Sequence, residues 1–190
     1  MTPERVEEKC EAVFRPQPAL VLRDLGVTAD GRYWRILSPR WAHAPLNGEG
    51  AARHGGRWNR PGDATLYLSR EIETAFAEYQ QELGVRPGTF AAFDVIGAKV
   101  ADLGDPRTLA ALDIAPTDLT CPWKQIAFIN KVAPPTWLIC DRLRGEVDGL
   151  RVPSTQYAGG FNLMLWRWNT AGAPIVTVLD PHGELEGVSP

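Results

Sequence analysis

Four side chains of types that carry chemistry are spread along the chain over strand, loop, strand and helix: Arg35, Arg57, Tyr67 and Glu78. A guanidinium grips phosphate or carboxylate through a planar fork, where a lysine offers only a point charge. A carboxylate set in a cleft stabilises positive charge developing on a substrate. A tyrosine brings an aromatic face and one hydroxyl. Each residue also has an ordinary structural reading. Arg35 is then an exposed strand arginine, Arg57 makes a loop salt bridge, Tyr67 is a half-buried strand aromatic and Glu78 is a solvated helix acid. Taken singly, the ordinary readings win, so the question is whether folding gathers the four.

Other chemistry is absent from the pattern. No G-x-S-x-G, P-loop, H-E-x-x-H or paired C-x-x-C occurs. His43, His54 and His182 are scattered through loops, so a metal would need long-range assembly, and none is expected. Gly48-Glu49-Gly50 and Gly55-Gly56 lack the strand–turn–helix setting of a dinucleotide fingerprint.

The elements that must position the four residues follow from local pattern. Gly31–Leu37 (GRYWRIL) reads as a strand with Arg35 between Trp34 and Ile36. An unpaired buried charge is costly, so Arg35 faces solvent or a cleft. The stretch from Ser38 to Asp63 reads as a long loop, and loops of that length are functional or disordered. Thr65–Leu68 is a short strand; Ser69 then caps a helix with Glu71 and Glu73 in its first turn and Gly84 closing it. Its apolar stripe is Ile72, Ala75, Phe76, Tyr79 and Leu83, with Glu78 roughly 120° from the stripe's middle, on the flank beside Ala75. Downstream, Thr89–Val95 and Ala98–Leu103 read as strands, and Asp105-Pro106 starts a short helix ending near Leu112. Thr120–Val132 reads as a helix with Trp123, Ile126, Ala127 and Ile129 inward, and Pro135–Arg144 as another stopped by Gly145. Gly149–Val152, Phe161–Trp168 and Pro174–Leu179 complete the strands. The irregular alternation predicts an α+β fold, with a mixed, mostly antiparallel sheet and flanking helices.

Thr2–Phe14 reads as a helix, followed by a polar linker around Arg15–Pro18, which divides the chain into an arm, 1–20, and one domain, 21–190. Lys and Arg total 20 against 23 Asp and Glu, a balance that argues against nucleic acid as a direct partner. Three cysteines without close spacing, a charged N-terminus and no long apolar run predict a cytoplasmic protein that enters no membrane.

Taken together, the residues carry a resemblance. Gly48–Asn59 (GEGAARHGGRWN), the Leu-Tyr-Leu-Ser of 66–69 and the acid Glu78 are similar to the RES-domain toxins; Tyr33-Trp34-Arg35 resembles that family's early aromatic–Arg strand and Val152-Pro153-Ser154 its later V-P-S segment. The likeness runs from about Tyr33 to Asp180. It implies a fold like the diphtheria-toxin type of ADP-ribosyltransferase, NAD as substrate without a metal, and the toxin half of a toxin–antitoxin pair. ADP-ribose would pass to water, depleting NAD, or to a protein such as an enzyme of nucleotide synthesis. The partner would be an antitoxin that occludes the NAD cleft. On this resemblance Glu78 faces the oxocarbenium-like ribose, Arg35 and Arg57 hold the pyrophosphate, and Tyr67 stacks on nicotinamide and bonds it through its hydroxyl. Ser154 fills the family's serine role, or Lys124 of Pro122-Trp123-Lys124 stands where a second pattern has that serine, and Asn162 completes the site. The alternative is a non-catalytic domain that binds NAD, ADP-ribose or a partner.

Overall fold

The computed structural model describes residues 26–81 and 84–185. The expected helix Thr2–Phe14 and the division at residue 20 lie outside them. Eight strands run β1 (Gly26–Thr28), β2 (Gly31–Leu37), β3 (Leu66–Ser69), β4 (Thr89–Ile96), β5 (Lys99–Asp102), β6 (Gly149–Pro153), β7 (Phe161–Leu165) and β8 (Ile175–Val178). Among them lie helices α1 (Glu49–His54), α2 (Ile72–Gln80), α3 (Pro106–Ala111), α4 (Pro116–Leu119) and α5 (Pro135–Leu143), with a π-helical turn at Gln125–Ile129. The strand order is β1-β5-β6-β7-β3-β2-β4-β8, with β5–β6 parallel and every other pair antiparallel. The α+β expectation therefore holds.

Strand alternation divides the core into two. Tyr33, Leu66, Leu68, Phe93, Val100, Leu163 and Val176 pack on one face of the sheet. Ala101, Leu150, Val152 and Met164 face the other way, against Trp58, Leu112, Ile139 and Leu143. Both faces are covered, which is why β7 reads Phe-Asn-Leu-Met-Leu rather than as alternating apolar and polar residues.

The seam between β2 and β3 decides where a site forms. A single pair, Trp34 with Ser69, joins these strands. Continuing that register would set Ile36 opposite Tyr67, but the strands diverge there and a cleft opens between them. Helix α2 packs across both strands and spans the gap.

Several sequence expectations change for physical reasons. Ser69 stays in β3 and caps nothing; Glu71 occupies the N-cap position of α2, which ends at Gln80, before Gly84. The expected apolar stripe is also rotated. Ile72 and Phe76 are exposed, while Thr74 and Ala75 are buried. The backbone at Gly160 approaches so closely that a Cβ there would sit 2.2 Å from Thr74 Oγ1, and only small side chains fit beneath the helix. Glu78 lies between Thr74 and Ala75 around the helix, at ~100° per residue, and so occupies the inward face rather than the flank. The expected long loop holds a 3-10 turn at Pro39–Trp41 and helix α1. The expected helix Thr120–Val132 is shortened: α4 ends before it, helical structure covers only residues 123–129 and is π-helical over Gln125–Ile129, and Ile129, expected inward, is 75% exposed. Pro122 supplies no N–H, and the carbonyls of Leu119 and Cys121 instead accept from Arg57.

Candidate active site

Glu78 enters the cleft from α2 as a half-buried carboxylate. Its Oε1 accepts from Ser154 Oγ at 2.7 Å and from Asn162 Nδ2 at 2.6 Å. Its Oε2 has no hydrogen-bond partner among the described residues, so one carboxylate oxygen is fixed and the other is offered to a ligand. The two donors are themselves held. Ser154 Oγ accepts from the N–H groups of Gln156 at 3.1 Å and Tyr157 at 3.0 Å, which leaves its single proton for Glu78. Asn162 Oδ1 accepts from Ser69 Oγ at 2.7 Å, which fixes the amide so that its NH₂ points at the acid. Cross-strand pairing sets this row, since Trp34, Ser69, Asn162 and Val152 are successive partners across β2, β3, β7 and β6.

Two cavities lie near this acid, which lines the first and reaches the second only through its partner Ser154. One, of about 210 Å³, is lined by Trp34, Arg35, Ile36, Tyr67, Glu78 and Tyr79 among others. The second, of about 500 Å³, is lined by Arg57, Leu119, Thr120 and the Pro153–Gln156 segment. The Ser154–Glu78 hydrogen bond links them.

Both arginines are charged by a structure that gives them no acid. Strand alternation turns Arg35 away from Trp34 and Ile36, and its Nη1 donates to the carbonyls of Pro45 at 2.9 Å and Asn47 at 3.3 Å. Because the strands diverge beside it, Arg35 still lines the cleft, as well as a smaller cavity of about 100 Å³ behind. Burial draws its pKa down to about 10, so it remains a cation at neutral pH. Arg57 donates from Nη1 to Cys121 O at 2.8 Å and Leu119 O at 3.2 Å. Burial lowers its pKa, against the attraction of Cys121, Glu78 and Tyr67. Neither guanidinium makes an ion pair among the described residues. Each of these cations, satisfied by carbonyl dipoles beside its own open volume, has donors to offer an anionic oxygen.

Tyr67 departs from expectation. Its hydroxyl donates to Asn59 Oδ1 at 2.7 Å and accepts from the Trp58 N–H at 3.2 Å, so its proton is committed inside the protein. Burial raises its pKa well above the usual tyrosine range. Its ring still lines the cleft. The Gly-Gly-Arg-Trp-Asn block acquires a physical meaning here. Buried Asn59 donates from Nδ2 to the carbonyls of Ala51, Arg60 and Asp63, tying the whole loop to β3 through Tyr67. Gly56 is required because a Cβ there would lie 2.5 Å from Tyr67 Oη and 2.7 Å from Asn59 Oδ1. Trp58 joins the core.

Lys124 is exposed, with its Nζ 6.0 Å from the Trp123 ring, and lines neither cavity. Structure thus brings Glu78, Ser154 and Asn162 into contact, sets Arg35 and Tyr67 in the same cleft as the acid, places Arg57 with Ser154 on the second cavity, and leaves Lys124 outside. Sequence reasoning missed Ser69, Trp34 and Arg86 as cleft residues. Trp34 and Ser69 stand inside the motifs Tyr33-Trp34-Arg35 and Leu-Tyr-Leu-Ser, but neither residue type by itself signals a cleft role, and Ser69 reads equally well as a helix cap. No cluster of His, Cys, Asp and Glu fit to hold a metal occurs among the described residues, and no helix there is long and apolar enough to cross a membrane.

Comparison with known proteins agrees with this frame. A chain from the crystal structure of the M. tuberculosis MbcT–MbcA toxin–antitoxin complex matches with a TM-score of 0.63 at 18% identity, over 86% of this chain and 92% of that one. At that identity the likeness is one of fold. No curated protein matches by sequence. The family model described as the RES domain matches residues 32–186, a span that contains Arg35, Arg57, Tyr67, Glu78, Ser154 and Asn162. The chain therefore belongs to the RES-domain family.

Proposed function

We propose that this chain is the toxin of a toxin–antitoxin pair and breaks the nicotinamide–ribose bond of NAD. One observation carries the reading: a carboxylate with one oxygen pinned and the other free, flanked by two arginines that have no acid of their own. The pyrophosphate takes the forks of Arg35 and Arg57, and nicotinamide lies against the rings of Trp34 and Tyr67. The C1′–N bond then breaks heterolytically. Its electron pair leaves with neutral nicotinamide, and the ribose becomes oxocarbenium-like. Glu78 Oε2 faces that cation or accepts the 2′-hydroxyl proton in a hydrogen bond. Water or a protein nucleophile attacks C1′ and loses its proton, so NAD is hydrolysed or a protein is ADP-ribosylated by the same site. Tyr67 serves by its ring alone.

The MbcT–MbcA match and the family support an antitoxin as partner, seated over the cleft with an anionic segment on the two arginines. A non-catalytic binding domain explains the arginines but gives no role to an acid held by two donors. Incubating the purified chain with NAD and measuring free nicotinamide tests the reading; binding without release would refute it. Tagged NAD offered to a cell extract separates transfer to protein from hydrolysis.

A further inference from the structure

Residues 84–88, on the far side of α2 from β3 in sequence, carry Arg86 to the edge of the cleft, where it has an unusual setting. Its Nε and Nη2 donate to the carbonyl of Tyr79 at 3.3 and 2.9 Å. Its guanidinium carbon stands 4.2 Å from the centre of the Tyr79 ring. Tyr79 in turn donates its hydroxyl to Pro87 O at 2.6 Å, and Gly88 lies so close that a Cβ there would meet Ile36 Cγ2 at 2.6 Å and the Tyr79 ring at 2.9 Å. Loop, ring and guanidinium therefore form one braced unit. Stacking and the doubly used carbonyl fix the plane of the guanidinium. The Nε/Nη2 edge is spent, and the Nη1/Nη2 edge remains as a ready fork. Arg86 makes no ion pair among the described residues and lines the same cavity as Glu78.

We infer that Arg86 is a phosphate-binding residue at the mouth of the cleft, gripping a phosphate of the dinucleotide whose ribose lies at Glu78. The inference rests on the function proposed above and adds a third cation to it. Stacked on Tyr79, the fork is pre-organised, so little rotamer entropy is lost when a phosphate arrives. Arginine and lysine should differ here, because lysine keeps the charge and loses the planar fork.

The test compares wild type, Arg86→Ala and Arg86→Lys, each confirmed folded by an unchanged melting temperature, with ADP and nicotinamide as separate probes in titration calorimetry. The expected result is that Arg86→Ala weakens ADP at least tenfold, Arg86→Lys weakens it by less, and nicotinamide affinity stays the same in all three. With NAD, Arg86→Ala should raise KM and spare kcat. ADP binding unchanged in Arg86→Ala would overturn the inference while nicotinamide release by the wild type left the proposed function standing. Weakened ADP binding without any nicotinamide release by the wild type would keep the phosphate site and refute the chemistry. Failure of the wild type to bind ADP would refute the phosphate site, and failure also to release nicotinamide from NAD would refute both.

Discussion

Replacing Glu78 by glutamine separates charge from architecture more cleanly than any other change in the cleft. Glutamine keeps an Oε1 able to accept from both Ser154 and Asn162, and puts an NH₂ where Oε2 now stands. The network survives and only the negative charge is lost. Two unit charges about 4 Å apart at an effective dielectric of about 20 attract by about 4 kcal/mol. An oxocarbenium-like ribose carries part of a charge, so about 2–3 kcal/mol of transition-state stabilisation is at stake, or about 10²-fold in kcat. The assay is nicotinamide release under saturating NAD, with ADP-ribose binding measured beside it. Glu78→Gln should lower kcat about 10²-fold and leave ADP-ribose affinity within a few-fold, because phosphate recognition belongs to the arginines. Turnover within threefold of wild type would refute the role given to this carboxylate. Loss of ADP-ribose binding together with activity would show instead that the acid only holds the cleft open.

Ser154→Ala should slow nicotinamide release about tenfold by freeing Glu78 from one donor, and Ser154→Thr, which keeps a hydroxyl, should restore most of it; equal rates in the two variants would deny the positioning role. Tyr67→Phe should leave nicotinamide release within a few-fold yet destabilise the fold by about 2 kcal/mol in urea unfolding, since Asn59 Oδ1 and the Trp58 N–H lose their partner. The same variant should show a pH signature. Burial raises the folded pKa of Tyr67 above the ordinary value of 10.0, so the folded chain keeps a proton that the unfolded chain releases. Wild type should therefore lose stability as pH climbs past 10, and Tyr67→Phe should lose less between pH 8 and pH 10.5. Gly56→Ala should cost about 2 kcal/mol of unfolding free energy, because the new Cβ would press on two oxygens already held by hydrogen bonds.

Much of this was legible along the chain. The strand GRYWRIL is observed as Gly31–Leu37, and the Pro135 helix and the later strands fall within a few residues of their expected bounds. Residue types and spacing were enough for the RES resemblance, because a glycine pair before Arg-Trp-Asn and an acid one helix later are local features. They also set the arginine forks and the carboxylate in the chain. Tertiary structure alone decided how these groups are used. Helix periodicity places Glu78 beside Ala75 but does not say which side faces in; the close approach of Gly160 to Thr74 chose the small residues and so turned the acid inward. Tyr67 has one hydroxyl proton, and only the folded loop could deliver Asn59 to take it. The cleft itself depends on β2 and β3 parting after the Trp34–Ser69 pair, a property of two segments separated by the whole Ser38–Asp63 connection. Local pattern reports what a residue is able to do, whereas the partners that spend or spare its charge and protons arrive from distant parts of the chain.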